Sequence, residues 1–149
     1  MAQWGYSIRN IISIWCSSAV GRVGGQQTVT LGRGCIYFGI VIHELMHATG
    51  FWHEQSRADR DNFITIIWNN IQKGMEYNFQ KYDWNIIQNL GVTYDTGSIM
   101  HYGSNSFAVD RKKPTIVANN GDEIGQRTHL SPVGMMERDF NQILILSVQ

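Results

Sequence analysis

One stretch of twelve residues constrains this chain more than any other: His43-Glu44-Leu45-Met46-His47-Ala48-Thr49-Gly50-Phe51-Trp52-His53-Glu54. Residues four apart on an α-helix lie above one another on one face, so His43 and His47 can offer two imidazole nitrogens to one metal ion. Glu44 sits one residue along, near enough to reach a water on that metal. Gly50 supplies a helix end, because without a Cβ it can take the left-handed conformation and turn the chain sharply. That turn brings His53 back as a third ligand.

Three neutral imidazoles, with no thiolate or carboxylate, point to one zinc ion with a fourth position left open. This is the arrangement of catalytic sites; structural sites are closed. At this chain's own frequencies His-Glu-x-x-His would arise by accident in roughly one such chain in two hundred. Adding Gly50 and His53 at their spacings makes accident rarer by roughly another several hundredfold, and a metal site is the reading that remains. A purely structural zinc would leave Glu44 without a reason to be there.

The 149 residues suffice for one domain, 1–149, with a core of its own. Twelve basic and twelve acidic residues give a formal net charge of zero, and no basic block occurs. That balance argues against nucleic acid or an anionic membrane surface as the main partner. The apolar runs at 35–42 and 143–148 are far too short for a membrane span. Residues 1–10, with Gln3, Gly5, Ser7 and Arg9, show no apolar segment of the kind a signal peptide needs. Cys16 and Cys35 could be two buried thiols or one disulfide, and their number leaves both open.

Around the histidines the pattern predicts a mixed α+β chain. The β-branched run at 11–15 reads as a strand, and 17–26, with Gly21, Gly24 and Gly25, as a loop. Gln27–Leu31 alternates polar with apolar and reads as a half-buried strand. A helix over 36–49 is apolar on nearly every side, which predicts a buried, rigid setting for the ligands. Arg57, Asp59, Arg60 and Asp61 read as a solvated or salt-bridged turn. Residues 64–71 mix strand and helix periodicities, and 74–90 carry apolar residues at helical spacing. A loop-rich region follows at 104–125, with a short apolar piece at 115–117. A terminal helix is expected over 130–146, with Ser131 as N-cap, Pro132 as first residue, and Met135, Met136, Phe140, Ile143 and Leu144 as its core face.

The second informative stretch is Tyr94-Asp95-Thr96-Gly97-Ser98-Ile99-Met100-His101-Tyr102. By itself it reads as a turn entering a strand, with Met100 as core filler. After a three-histidine site it reads instead as the tight methionine turn of the metzincin pattern.

Together these two stretches resemble the astacin family of zinc metalloendopeptidases, a metzincin branch. The zinc stretch runs on into Gln55-Ser56-Arg57-Ala58-Asp59-Arg60-Asp61, and Ser98-Ile99-Met100-His101-Tyr102 matches the family's Met-turn with its tyrosine. Similarity extends to residues 20–26, 114–116 and 124–127, and covers about 11–145. The resemblance implies a zincin-like catalytic domain with a shortened N-terminal lobe (1–50, carrying the active-site helix) and a C-terminal lobe (51–149, carrying the Met-turn). It implies zinc on His43, His47 and His53, with Glu44 as general base. Tyr102 would be a fifth ligand that swings off the metal to stabilise the oxyanion. Cys16 and Cys35 would form a disulfide, Gly50, Glu54 and Met100 would support the site, and Gln27–Leu31 would be the edge strand that pairs with an extended substrate. The implied activity is endopeptidase cleavage of protein or peptide substrates, in a secreted protein. Lys112, Lys113 and Arg127 would border the pocket for the residue after the scissile bond, or be solvated loop charges.

The chain departs from the family in lacking the first part of the N-terminal lobe and a second disulfide. The alternative to an active peptidase is therefore an inactive, truncated remnant that binds zinc or peptides.

Overall fold

The computed structural model describes residues 6–9, 15–87 and 91–135. Strands β1 (Tyr6–Arg9), β2 (Cys16–Ser17) and β3 (Gln27–Leu31) form one sheet in the order β1-β3-β2. Alternation sets the faces of β3: Gln27, Val29 and Leu31 are buried and Thr28 is exposed. β1 runs parallel to it, Tyr6 opposite Gln27, and β2 antiparallel, Cys16 opposite Leu31. The strand forms with its predicted bounds, but it is the middle strand of this sheet and not the edge. Hydropathy reads the two faces of a strand and carries no information about its edges. Of the strand expected over 11–15, residues 11–14 lie outside the described residues, and Trp15 belongs to no strand.

Helix α1 (Phe38–Thr49) packs Ile40, Val41 and Ala48 against Val29, Leu31 and Cys35. The Cys16–Cys35 disulfide ties β2 to the segment before the helix, with 6.0 Å between the Cα atoms. The expectation of burial on every side fails at the start. Ile36, Tyr37 and Phe38 are each more than 60% exposed, at 63%, 66% and 62%. Tyr37 is still in extended backbone, so Ile36 and Tyr37 precede the helix, and the buried residues are Gly39, His43, Glu44, Met46, His47 and Ala48. An apolar count around the helix cannot tell which faces find a wall. Gly39 sets one close approach: a Cβ there would lie 1.8 Å from the Arg127 carbonyl oxygen.

The chain divides into two compact units, one reaching as far as Trp52 and including Arg127–His129, the other formed by His53–Gln126 and the chain from Leu130. In the second, β4 (Ile64–Ile66) pairs antiparallel with β5 (Ile116–Ala118), Ile64 opposite Ala118. Its core is Ile64, Ile71, Phe79, Tyr94 and Ile116, with Tyr102 and Phe107 packed on it. The ambiguous stretch 64–71 resolves into β4 and a 3₁₀ turn at Trp68–Asn70.

The helix expected over 74–90 is absent among the described residues. A 3₁₀ turn, Glu76–Phe79, gives way to extended backbone at Gln80, and 88–90 lie outside the description. Long-range partners take the groups a helix would use: the Phe79 carbonyl accepts from Arg60, and the Tyr82 N–H donates to the Ser56 carbonyl at 2.8 Å. The charged turn is structural. Arg57 pairs with Glu54 and Asp59, while Arg60, 4% exposed, also donates to the Gln55 carbonyl. At the last predicted helix Ser131 Oγ accepts the Gly134 N–H at 3.0 Å, an N-cap bond with Pro132 in the first position. Met135, expected on its core face, is 43% exposed, and the rest of that face lies outside the described residues.

Candidate metal centre

One helical turn separates His43 from His47, and their rings meet edge to face with centroids 4.7 Å apart. Both are buried on α1. The helix then stops abruptly: Gly50 has φ 110°, its N–H returns to the His47 carbonyl, and the Phe51 N–H returns to the Met46 carbonyl at 3.0 Å. This pair of bonds closes a helix on a left-handed residue. It also aims the Phe51 carbonyl at the His47 ring, with Nδ1 2.7 Å away. A carbonyl can only accept, so Nδ1 carries the proton and Nε2 keeps its lone pair for a metal. Burial holds the His47 pKa below its ordinary value, which favours the neutral form a ligand must have.

The ligand atoms of His43, His47 and His53 all lie within 4.8 Å of one another. Three neutral imidazole nitrogens at that spacing fit one zinc ion with a position to spare. Glu44 supplies the independent observation. Its carboxylate is buried, and Oε2 has no hydrogen-bond partner. Burial raises its pKa to about 7, against the opposing pull of the Arg127 guanidinium. A buried carboxylate oxygen without a donor calls for a polar group brought in from outside, beside the three histidines.

Behind His53 the chain is held firmly. The Glu54 N–H donates to the Met100 carbonyl at 3.2 Å, and Glu54 Oε1 accepts from the Asp95 N–H at 2.8 Å and from Arg57 at 3.2 Å. Met100 is 1% exposed, and its N–H is taken by Ser98 Oγ. The strand that the turn at Gly97 could have entered does not form; the His101 N–H closes back on the Ser98 carbonyl at 3.1 Å. Tyr102 comes out of this turn with its ring 4.5 Å from that of His53.

The model of the peptidase family Astacin matches residues 6–142. The chain belongs to the astacin family. Zinc metalloproteinase nas-15 of Caenorhabditis elegans is 56% identical over 118 residues, which are 79% of this chain and 21% of the relative. Nas-13 of the same organism is 49% identical over 131 residues, 88% of this chain and 28% of the relative. Among solved structures, high choriolytic enzyme 1, a hatching enzyme zinc-protease from Oryzias latipes, matches with TM-score 0.85 and 38% identity. That match covers 95% of this chain and 71% of the other. The chain thus spans between about a fifth and a little over a quarter of the length of the two nematode relatives.

In this astacin chain Arg127 and Gln55 bear on the site in ways that the sequence did not show. Arg127 acts on both Glu44 and His47 by its charge, whereas Lys113, grouped with it on the sequence, pairs with Asp110 at 3.7 Å. Gln55 is wholly buried and accepts the Tyr102 N–H. Its position two residues after His53 was the one available hint.

Proposed function

We propose that this chain is the catalytic part of a zinc endopeptidase, with His43, His47 and His53 as ligands, Glu44 as general base and Tyr102 as oxyanion donor. The observation that carries the proposal is the buried, unpaired Glu44 carboxylate oxygen beside the three-histidine cluster. Zinc, when bound there, lowers the pKa of water to about 7 and polarises a carbonyl. Glu44 takes a proton from the attacking water and hands it to the leaving amine. The Tyr102 hydroxyl donates a hydrogen bond to the oxyanion of the scissile carbonyl. Met100 supports the Glu54 backbone directly behind His53. The substrates are proteins or peptides, and the disulfide fits a secreted protein folded in an oxidising compartment.

Cleavage of a broad set of quenched peptides, with zinc and with a chelator, tests this. Chelator-sensitive turnover that Glu44→Ala abolishes while zinc still binds one to one is the expected result. Zinc bound at that ratio without any turnover would make the chain a zinc-binding domain and remove the peptidase assignment. Turnover surviving in Glu44→Ala would overturn the role given to that carboxylate.

A further inference from the structure

Two of the most deeply buried polar side chains in the second unit converge on the peptide groups of one residue, Tyr102. Gln55 and His101 are each 0% exposed. Gln55 Oε1 accepts the Tyr102 N–H at 3.1 Å. The donor is a backbone amide, so the oxygen of the Gln55 side chain must face it. On the other side the Tyr102 carbonyl lies 2.7 Å from His101 Nδ1, and His101 Nε2 lies 2.7 Å from the Tyr94 hydroxyl. The carbonyl can only accept, so Nδ1 carries a proton. Burial pushes the Tyr94 phenol well above its ordinary pKa, so its hydroxyl stays protonated beside the His101 ring.

The amide end of Gln55 shows what this arrangement is for. Gln55 Nε2 is buried and has no hydrogen-bond partner. An unpaired buried amide nitrogen is unfavourable, and an apolar side chain of the same shape would avoid it. Such a side chain could fill the space but could not accept the Tyr102 N–H. Gln55 also sits in the 3₁₀ turn Glu54–Ser56, for which His53 is the preceding residue, so one short turn carries both the ligand and the acceptor.

We infer that Gln55, with His101 opposite, is a positioning residue for Tyr102: it fixes the main chain that carries the phenol against the His53 ring. Motion of the phenol is then confined to its own side-chain torsions. The kinetic consequence rests on the peptidase function proposed above; the clamp itself does not.

The test uses Gln55→Met, which keeps the shape and removes the acceptor, with nuclear magnetic resonance on the metal-free chain and kinetics on the zinc-loaded one. In the wild type a through-hydrogen-bond coupling between the Tyr102 amide nitrogen and the Gln55 side-chain carbonyl carbon is expected, and its absence overturns the inference even if the variant does not fold. In Gln55→Met the Tyr102 amide should exchange with solvent at least about tenfold faster, while the Thr65 and Val117 amides keep their rates. In turnover, kcat should fall about tenfold with KM little changed, and the loss should vanish when Tyr102→Phe is already present. An equal loss in the Tyr102→Phe background would mean that Gln55 acts through His53 or the core, and would overturn the assignment. If the wild-type chain cleaves nothing, the peptidase proposal fails while the coupling and the exchange rate still decide on the clamp.

Discussion

Glu44 shows how much one buried group can couple to pH. Its folded-state pKa is about 7 against an ordinary 4.5, so between those values the native chain holds a proton that the unfolded chain has lost. Stability of the metal-free protein is therefore greatest below that window and falls as pH rises through it. Glu44→Gln removes the ionisation; the metal-free variant should be more stable than wild type by about 1–2 kcal/mol at pH 8, after allowance for solvent screening, and indistinguishable at pH 4. Denaturant titrations at the two pH values check this, and an equal difference at both would show that the amide acts by packing and not by charge. With Tyr102 in the proposed role of oxyanion donor, Tyr102→Phe should be a kinetic change: loss of one such donor typically removes ~3 kcal/mol, or about a hundredfold in kcat, with KM nearly unchanged. That His43 and His47 share a helix face was legible in the sequence because helical spacing alone places them together. Gln55 was not, because what makes it matter is a hydrogen bond across 47 residues of chain.

Elements follow the same division between local and long-range causes. α1 was legible to within two residues at its start, since Gly50 defines its end by a backbone requirement that only its own turn imposes. The 74–90 segment was misread for the opposite reason. Its apolar spacing suits a helix, but Phe79, 0% exposed, is drawn into the core, and the Arg60 and Ser56 partners exist only once the chain has folded. Likewise no pattern within Gln27–Leu31 shows that strands flank it on both sides. Gly39 makes the point testable. In an exposed helix Gly→Ala gains up to about 1 kcal/mol. Here the added Cβ would meet the Arg127 carbonyl oxygen at 1.8 Å and the carbonyl carbon at 2.2 Å, backbone atoms that no rotamer change can move. Gly39→Ala should therefore lose about 1–3 kcal/mol, and, by displacing Arg127, raise the Glu44 pKa further. A gain in stability would mean that the Arg127–His129 segment yields freely.

At the scale of the whole molecule, the disulfide and the proposed zinc act on opposite sides of the folding equilibrium. The Cys16–Cys35 bridge spans 19 positions of sequence and limits the unfolded chain, an effect of about 3 kcal/mol in the chain-entropy account. In the proposed site, zinc held by the folded arrangement of His43, His47 and His53 would stabilise it by about 4 kcal/mol when present at a thousandfold its dissociation constant. Because the first acts through the unfolded state and the second through the native one, replacing both cysteines by serine should lower unfolding free energy by about 3 kcal/mol without changing the increment that zinc adds. Guanidinium unfolding of wild type and the double-serine variant, each with zinc and with chelator, separates the two contributions. Equal zinc increments would place the disulfide's contribution in the unfolded chain. A smaller increment in the variant would mean that the bridge also holds α1 in the position that His43 and His47 need in the proposed site, since Cys35 lies in the same core cluster as Val29, Leu31 and the helix residue Ala48.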